Sequence, residues 1–434
     1  MTRLNRLKSS QGITLIALVV TIVVLLILAG ITINMLFSNG GIFKVAQDAA
    51  NAWNQAVINE QADLDNLTEQ IQNLVNGQIG GGTGTGGGDE EPEDPTTGPN
   101  GKPLVGTATE IQTEDNLEAE DEYGNVVTVP KGFKVVTSEA TTVPEGIVIG
   151  DSNGNQFVWI PVGTVHKDSN PENDVTIKLG RYTFDKTNGT PTMQQAAFAG
   201  DNPSNASQTY IDEVTIESYY KELTTYREGT DKLNATAKNL AGFVRSVQEN
   251  GGYYLARYEA SYGNGNSVAD WKPLSKISTG TPRTNSSTAL TQGMLWNYVT
   301  ELDTSKICQN MYANDNTVGV ESDLTNSYAW DTAIVFIQEM ENNNYANKTD
   351  KNGTLRNTGS TGDEGCNIFD MAANVLEWTT EYSTSVSGTQ ASPCIYRGGA
   401  CNTGNYFTAS RTDDDATDSY SDAGFRVILY VKQR

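Results

Sequence analysis

Residues 396–400 read Tyr396-Arg397-Gly398-Gly399-Ala400, and residues 423–429 read Ala423-Gly424-Phe425-Arg426-Val427-Ile428-Leu429. The paired glycines predict a tight backbone turn where side chains cannot fit. Arg397 and Arg426 are expected to hold carboxylates such as Glu259 or Glu377 bidentately. Just upstream runs Asn367-Ile368-Phe369-Asp370-Met371-Ala372-Ala373-Asn374-Val375-Leu376-Glu377-Trp378-Thr379.

Working outward, Gln156-Phe157-Val158-Trp159-Ile160-Pro161-Val162 is the strongest strand signal, and the run 251–260, GGYYLARYEA, reads as another. Shorter β-type runs occur at 126–129, 134–136 and 146–149. Apolar periodicity predicts helices over 217–226, 233–249, 292–311 and 329–340. Trp296 and Trp330 fall near the starts of the last two, where their rings would anchor helix to sheet. Residues 165–215 are polar and read as an insertion. The fold class is therefore α+β.

These motifs resemble the formylglycine-generating enzyme family, a mixed fold related to C-type lectins. FVWIPV, GGYYLARYEA, Trp330-Asp331, NVLEWT, YRGGA and AGFRVIL span residues 155–432 in that family's order. The family's catalysts bind copper(I) through two cysteines beyond the glycine turn, thiolate being the soft ligand that copper(I) requires. Only Cys401 follows the turn here, so the resemblance implies neither copper nor a catalytic residue. It also implies a calcium ion near NVLEWT, held by Asp370 and Glu377 with the carbonyls of Ala373 and Val375. The motif's usual Gly is Ala373, and Glu377 pairing with an arginine is the competing reading.

The stretch 402–422 stands where the family's catalytic loop would be. It is rich in Asn, Thr, Ser, Tyr and Asp and poor in aliphatic residues. Tyr supplies rigid amphipathic area and the small polar residues supply adaptable hydrogen bonds, the composition of a recognition surface. It is similar to the variable regions of proteins diversified by retroelements. Asn402, Thr403, Asn405, Tyr406, Phe407, Thr408, Ser410, Thr412, Asp413, Asp418, Ser419 and Tyr420 are the expected ligand contacts. The run Asp413-Asp414-Asp415 reads as a solvated charge run rather than a catalytic site.

Composition narrows the function. The 434 residues carry 53 Asp plus Glu against 29 Lys plus Arg, a net charge of −24. No basic patch for nucleic acid is present outside the first residues. His166 is the one histidine, which excludes a histidine-rich metal site and limits histidine-based catalysis. Cys308, Cys366, Cys394 and Cys401 have no CxxC spacing. They allow one or two disulfides, or four small buried residues.

At the other end, Ile13 to Phe37 is an uncharged run of 25 residues behind Arg3, Arg6 and Lys8. At about 1.5 Å per residue it can cross a bilayer as a helix. The junction Gly12-Ile13 followed by this run resembles the leader of type IV pilins and pseudopilins, which implies cleavage between Gly12 and Ile13. Ala17 replaces the Glu usual in pilins, so the resemblance implies a filament-tip or membrane position. A plain signal anchor is the alternative. The expected organisation is a leader (1–12), a pilin-like transmembrane and amphipathic helix (13–76), a flexible Gly, acidic and Pro linker (77–103), and a C-terminal lectin-like domain (104–434).

The expected function is surface display of a catalytically inactive, adhesin-like domain. Its partners would be the membrane through Ile13–Phe37, pilin subunits, and a macromolecular or cell-surface ligand, with no nucleic acid. Its place would be the cell membrane, surface or pilus, with the distal domain extracellular. A formylglycine-generating-type oxidase and a structural minor pilin are the alternatives.

Overall fold

The structure is a computed structural model that describes residues 96–194, 197–199, 209–211, 240–349, 353–383, 386–387, 390–391, 394–402, 404–415 and 417–432. The Gly12-Ile13 junction, the apolar run 13–37, the helix expected up to residue 76 and most of the linker lie outside them, as does the helix expected over 217–226. Among the described residues no helix is long and apolar enough to cross a membrane.

The principal elements are β1 (Leu117–Glu120), β2 (Val126–Val129), β3 (Phe133–Val135), β4 (Val148–Asp151), β5 (Gln156–Pro161), β6 (Arg181–Phe184), β7 (Pro191–Gln194), β8 (Ala197–Ala199), β9 (Thr209–Ile211), α1 (Leu240–Asn250), β10 (Gly252–Ala256), α2 (Glu301–Asn310), β11 (Val320–Leu324), α3 (Ser327–Glu341), β12 (Leu376–Ser383), β13 (Cys394–Arg397), β14 (Arg411–Asp414), β15 (Ala423–Phe425) and β16 (Val427–Val431). The fold is mixed and sheet-rich, with few helices.

The core sheet is antiparallel in the order β11-β16-β10-β5-β4-β3. β5 and β10 lie at its centre and are buried along nearly their whole length, which is why both read as continuous apolar runs. Alternation sends their side chains to opposite faces. Tyr253 meets Phe243 of α1 at 5.3 Å between centroids, and its hydroxyl donates to the Ala329 carbonyl on α3. Tyr254 packs on Trp159 at 5.0 Å and donates to the Thr128 carbonyl on β2. A second sheet runs β8-β9-β12-β13-β14, with β15 parallel to β12.

Two hairpins close with one device. In Asp121–Asn125, between β1 and β2, Asp121 Oδ1 accepts from the amides of Tyr123 and Asn125, and Asn125 Nδ2 donates back to Oδ2 at 2.9 Å. Asp151–Asn155, between β4 and β5, repeats this with Asn153 and Asn155. Each is an Asx turn whose side chain replaces the missing backbone partners.

Several expectations are corrected here. The helix expected over 292–311 forms only at α2. Backbone groups of residues 293, 294 and 296 bond to Tyr262, Ala260 and Thr279, and Thr300 caps the helix by accepting from the Asp303 amide. Trp296 therefore lies before the helix, edge-on to Tyr262, Trp271 and Phe425. Trp330 does sit in the first turn of α3, which Asn326 caps.

Residues 165–215 are not merely an insertion, because they supply β6, whose Arg181 is fully buried. The linker's end is structured as well. Glu120 Oε1 accepts from the amides of Asn100 (2.8 Å) and Lys102 (3.1 Å), and residues 92–434 form one compact unit. Residues 104–154 belong to that unit through β3 and β4. All four cysteines are buried, and none forms a disulfide.

Candidate ligand-binding site

The glycine pair is where the second sheet meets the NVLEWT segment. Gly398 has φ +88°, and a Cβ on it would lie 2.6 Å from the Met371 carbonyl oxygen. A Cβ on Gly399 would lie 1.9 Å from the Ala372 carbonyl oxygen. Only bare backbone fits, as the sequence suggested.

Beneath the loop that follows lies a buried ionic network. Asp331 on α3 and Glu381 on β12 face Arg181, Arg397 and Arg411. Arg397 reaches Asp331 Oδ1 at 2.6 Å and Glu381 Oε2 at 3.3 Å, and Arg411 Nε reaches Glu381 Oε1 at 2.8 Å. Burial pushes the Glu381 carboxyl upward, but Arg411, Arg181 and Arg397 together outweigh it and hold the group at about 2.

Arg426 takes Glu377, through Nη2 at 2.6 Å and Nε at 3.0 Å, whereas Glu259 accepts from Asn374 Nδ2 (2.6 Å) and the Val375 amide (3.1 Å). The expected carboxylate partners are thus right for Arg426 and different for Arg397.

That geometry bears on the implied calcium ion. Both Glu377 oxygens are engaged by Arg426. Asp370 accepts from the Thr358 hydroxyl at 3.1 Å, the Gly359 amide and the Thr361 hydroxyl. With a buried guanidinium among these carboxylates, Asp370, Ala373, Val375 and Glu377 as arranged do not fit a calcium ion.

The loop itself hangs from the scaffold by its backbone. Trp330 Nε1 donates to the Thr408 carbonyl at 2.9 Å, and Arg397 Nε to the Ser410 carbonyl at 2.9 Å. The amides of Thr408 and Ala409 donate to the carbonyls of Lys348 and Ala346, each at 3.0 Å. Ser410 Oγ accepts from the Phe407 amide at 2.8 Å. Between this loop and β6 opens a concavity of about 370 Å³, lined by Asn405, Tyr406, Phe407, Ser410, Arg411 and Thr412 on one side and by Thr183, Phe184, Lys186 and Asn347 on the other. It mixes aromatic and small polar groups, as ligand sites do.

Five of the twelve expected contacts thus line one cavity. Thr408 is a correction: it is fully buried and serves as an anchor rather than a contact. Asn402 donates to Asp422, Asp413 sits opposite Ile395 on β14, and Asp418, Ser419 and Tyr420 form a second group past β14. Thr403 lies outside the described residues. The sequence reading missed Arg411, Phe184 and Asn347. Arg411 sits among polar loop residues with no periodic signal, and Phe184 comes from the segment taken as an insertion.

The described domain is mixed and sheet-rich. Residues 311–431 match the family model for FGE-sulfatase, the sulfatase-modifying factor enzyme 1-like domain. No curated protein matches the chain. Among solved structures the chain is similar to CarF, at 13% identity over 63% of this chain and 98% of that one, with a TM-score of 0.29. It is also similar to variable protein 1 of Treponema denticola, at 15% identity over 41% of this chain and 95% of that one, with a TM-score of 0.24. The P3c variant of the Major Tropism Determinant gives 13% identity over 78% and 100%, with a TM-score of 0.27.

Proposed function

We propose that this chain is a surface-displayed binding protein whose loop 402–422 recognises a macromolecular ligand, with residues 1–76 serving as a pilin-like anchor or filament-tip segment. One observation carries the reading of the loop. Its backbone is held by Trp330, Arg397, Lys348 and Ala346, while Asn405, Tyr406 and Phe407 line a concavity. Such a loop can exchange contacts without losing its shape, the property required of a diversified recognition surface. Phe407 is 39% exposed, although a large apolar ring is normally covered. The reading is of a binding protein rather than an oxidase, since Cys401 alone follows the glycine turn.

Comparing the gene among sibling strains tests it. Changes concentrated at the outward positions of 402–422, with Arg397, Thr408 and Arg411 kept, support the reading. An invariant loop removes diversification. The full-length protein screened on whole cells and glycan arrays should lose saturable binding when Tyr406 and Phe407 are both replaced by Ser. Unchanged binding removes the loop as the contact surface. For the leader, mass spectrometry of the mature N-terminus is decisive, because an intact Met1 excludes cleavage after Gly12.

A further inference from the structure

The second half of the loop carries a cluster of tyrosines and aspartates. Tyr396 on β13 is 98% buried by the converse of its 2% exposure, and its hydroxyl has no hydrogen-bond partner among the described residues. Its ring is stacked on Trp378 at 3.5 Å between centroids and meets Tyr420 edge-on at 6.5 Å, so it is not free to swing the hydroxyl elsewhere. Asp414 lies on the same face of β14 as Thr412, the strand partner of Tyr396, and Asp418 and Asp422 are near enough to act on the hydroxyl through their charge. Tyr420 donates to Asp418 Oδ2 at 3.1 Å, and the Asp414 carboxyl lies close to that of Asp418. Tyr420 is 41% exposed and forms the outer wall.

We propose that Asp414, Asp418 and Asp422, with the rings of Tyr396 and Tyr420, form a pocket for an organic cation, an ammonium or guanidinium group carried by the loop's ligand. The unpaired hydroxyl offers lone pairs to an N–H donor, the carboxylates supply charge, and the exposed tyrosine face supplies a cation–π contact. A metal ion fits less well, because these carboxylates do not converge as a metal-ligating group. Asp418 and Asp422 instead accept hydrogen bonds from Tyr420 and Asn402. Carboxylates crowded at a partly buried site are relieved when a cation enters between them.

The inference rests on reading the loop as a binding surface, but its test needs no natural ligand, so its failure leaves that reading standing. The full-length protein, with ring-¹³C tyrosine, is titrated with spermine, hexalysine and calcium chloride at about 0.15 M salt, where diffuse surface attraction is screened. The Tyr396 and Tyr420 signals, assigned from Tyr→Phe variants, should move saturably with spermine and hexalysine. The double variant Asp414→Asn/Asp418→Asn should bind at least about tenfold more weakly, as expected for loss of charge-assisted bonds. The charge-matched control Glu110→Gln/Glu114→Gln should bind like the parent. Tighter binding of hexalysine than of spermine supports a polypeptide side chain as the source, and the reverse supports a free polyamine. An equal response to calcium, an equal loss in the control, or unmoved tyrosine signals overturns the proposal.

Discussion

The indole N–H of Trp330, in the first turn of α3, donates to the carbonyl of Thr408 at 2.9 Å, so a helix holds the loop by its backbone. Replacing Trp330 by Phe keeps most of the packing but strands that buried carbonyl, at a cost of about 1–3 kcal/mol. Amide exchange should quicken at Thr408 and Ala409, whose N–H groups bond to Lys348 and Ala346. Unaltered protection there would show that Trp330 does not hold the loop.

The glycine turn allows no substitution. In Gly399→Ala the new methyl would stand 1.9 Å from the Ala372 carbonyl oxygen, so strand and segment must separate. Overpacking of this kind costs about 1–3 kcal/mol or more. The denaturant midpoint should fall with the slope unchanged, and an unshifted midpoint would contradict the contact.

Glu381 sets an acid limit on the fold. Its carboxyl is held at about 2 in the folded chain against 4.5 when unperturbed. The depressed value means that its stabilisation is full above 4.5 and is lost as pH falls toward 2. Glu381→Gln should be less stable at neutral pH by roughly 3–5 kcal/mol, because three arginines lose a partner. Its stability should also decline less between pH 4.5 and 2. Parallel acid curves for the two proteins would refute the assignment.

Asp414 acts with the opposite sign. Burial, reinforced by Asp418, pushes its carboxyl from 3.8 up to about 6. The folded chain then holds a proton that the unfolded chain releases, so stability is lost as pH rises from about 4 to 6. Asp414→Asn should lack that decline and melt higher than the parent above pH 6. Coincident melting profiles across this range would exclude the shift.

The central strands were legible because β5 and β10 are covered on both sides, and full coverage writes an unbroken apolar run into the chain. The glycine pair was legible because contact with Met371 and Ala372 leaves no room for a side chain. Helix α2 was overextended because Met294, Leu295, Trp296 and Val299 are buried with helical spacing, yet their backbone bonds to other segments. The ionic network was only half legible. Arg397 stood out beside its glycines, but Arg181, Asp331 and Glu381 come from three distant segments, and charge carries no period that marks such a meeting. For the same reason Asp414 was indistinguishable in sequence from the solvated aspartates beside it.

The four uncrosslinked thiols carry a practical consequence. Cys308 lies in α2, Cys366 in a turn, Cys394 on β13 and Cys401 just past the glycine pair, all sealed from solvent. Burial pushes the Cys308 and Cys366 thiols well up, which further silences them. The described fold holds together without a cross-link between them, and each thiol serves as a clock. A thiol-reactive dye marks each cysteine only when its surroundings open. Earlier marking of Cys401 than of Cys308 would time breathing of the loop against global unfolding, and one common rate would mean that the domain opens as a single piece.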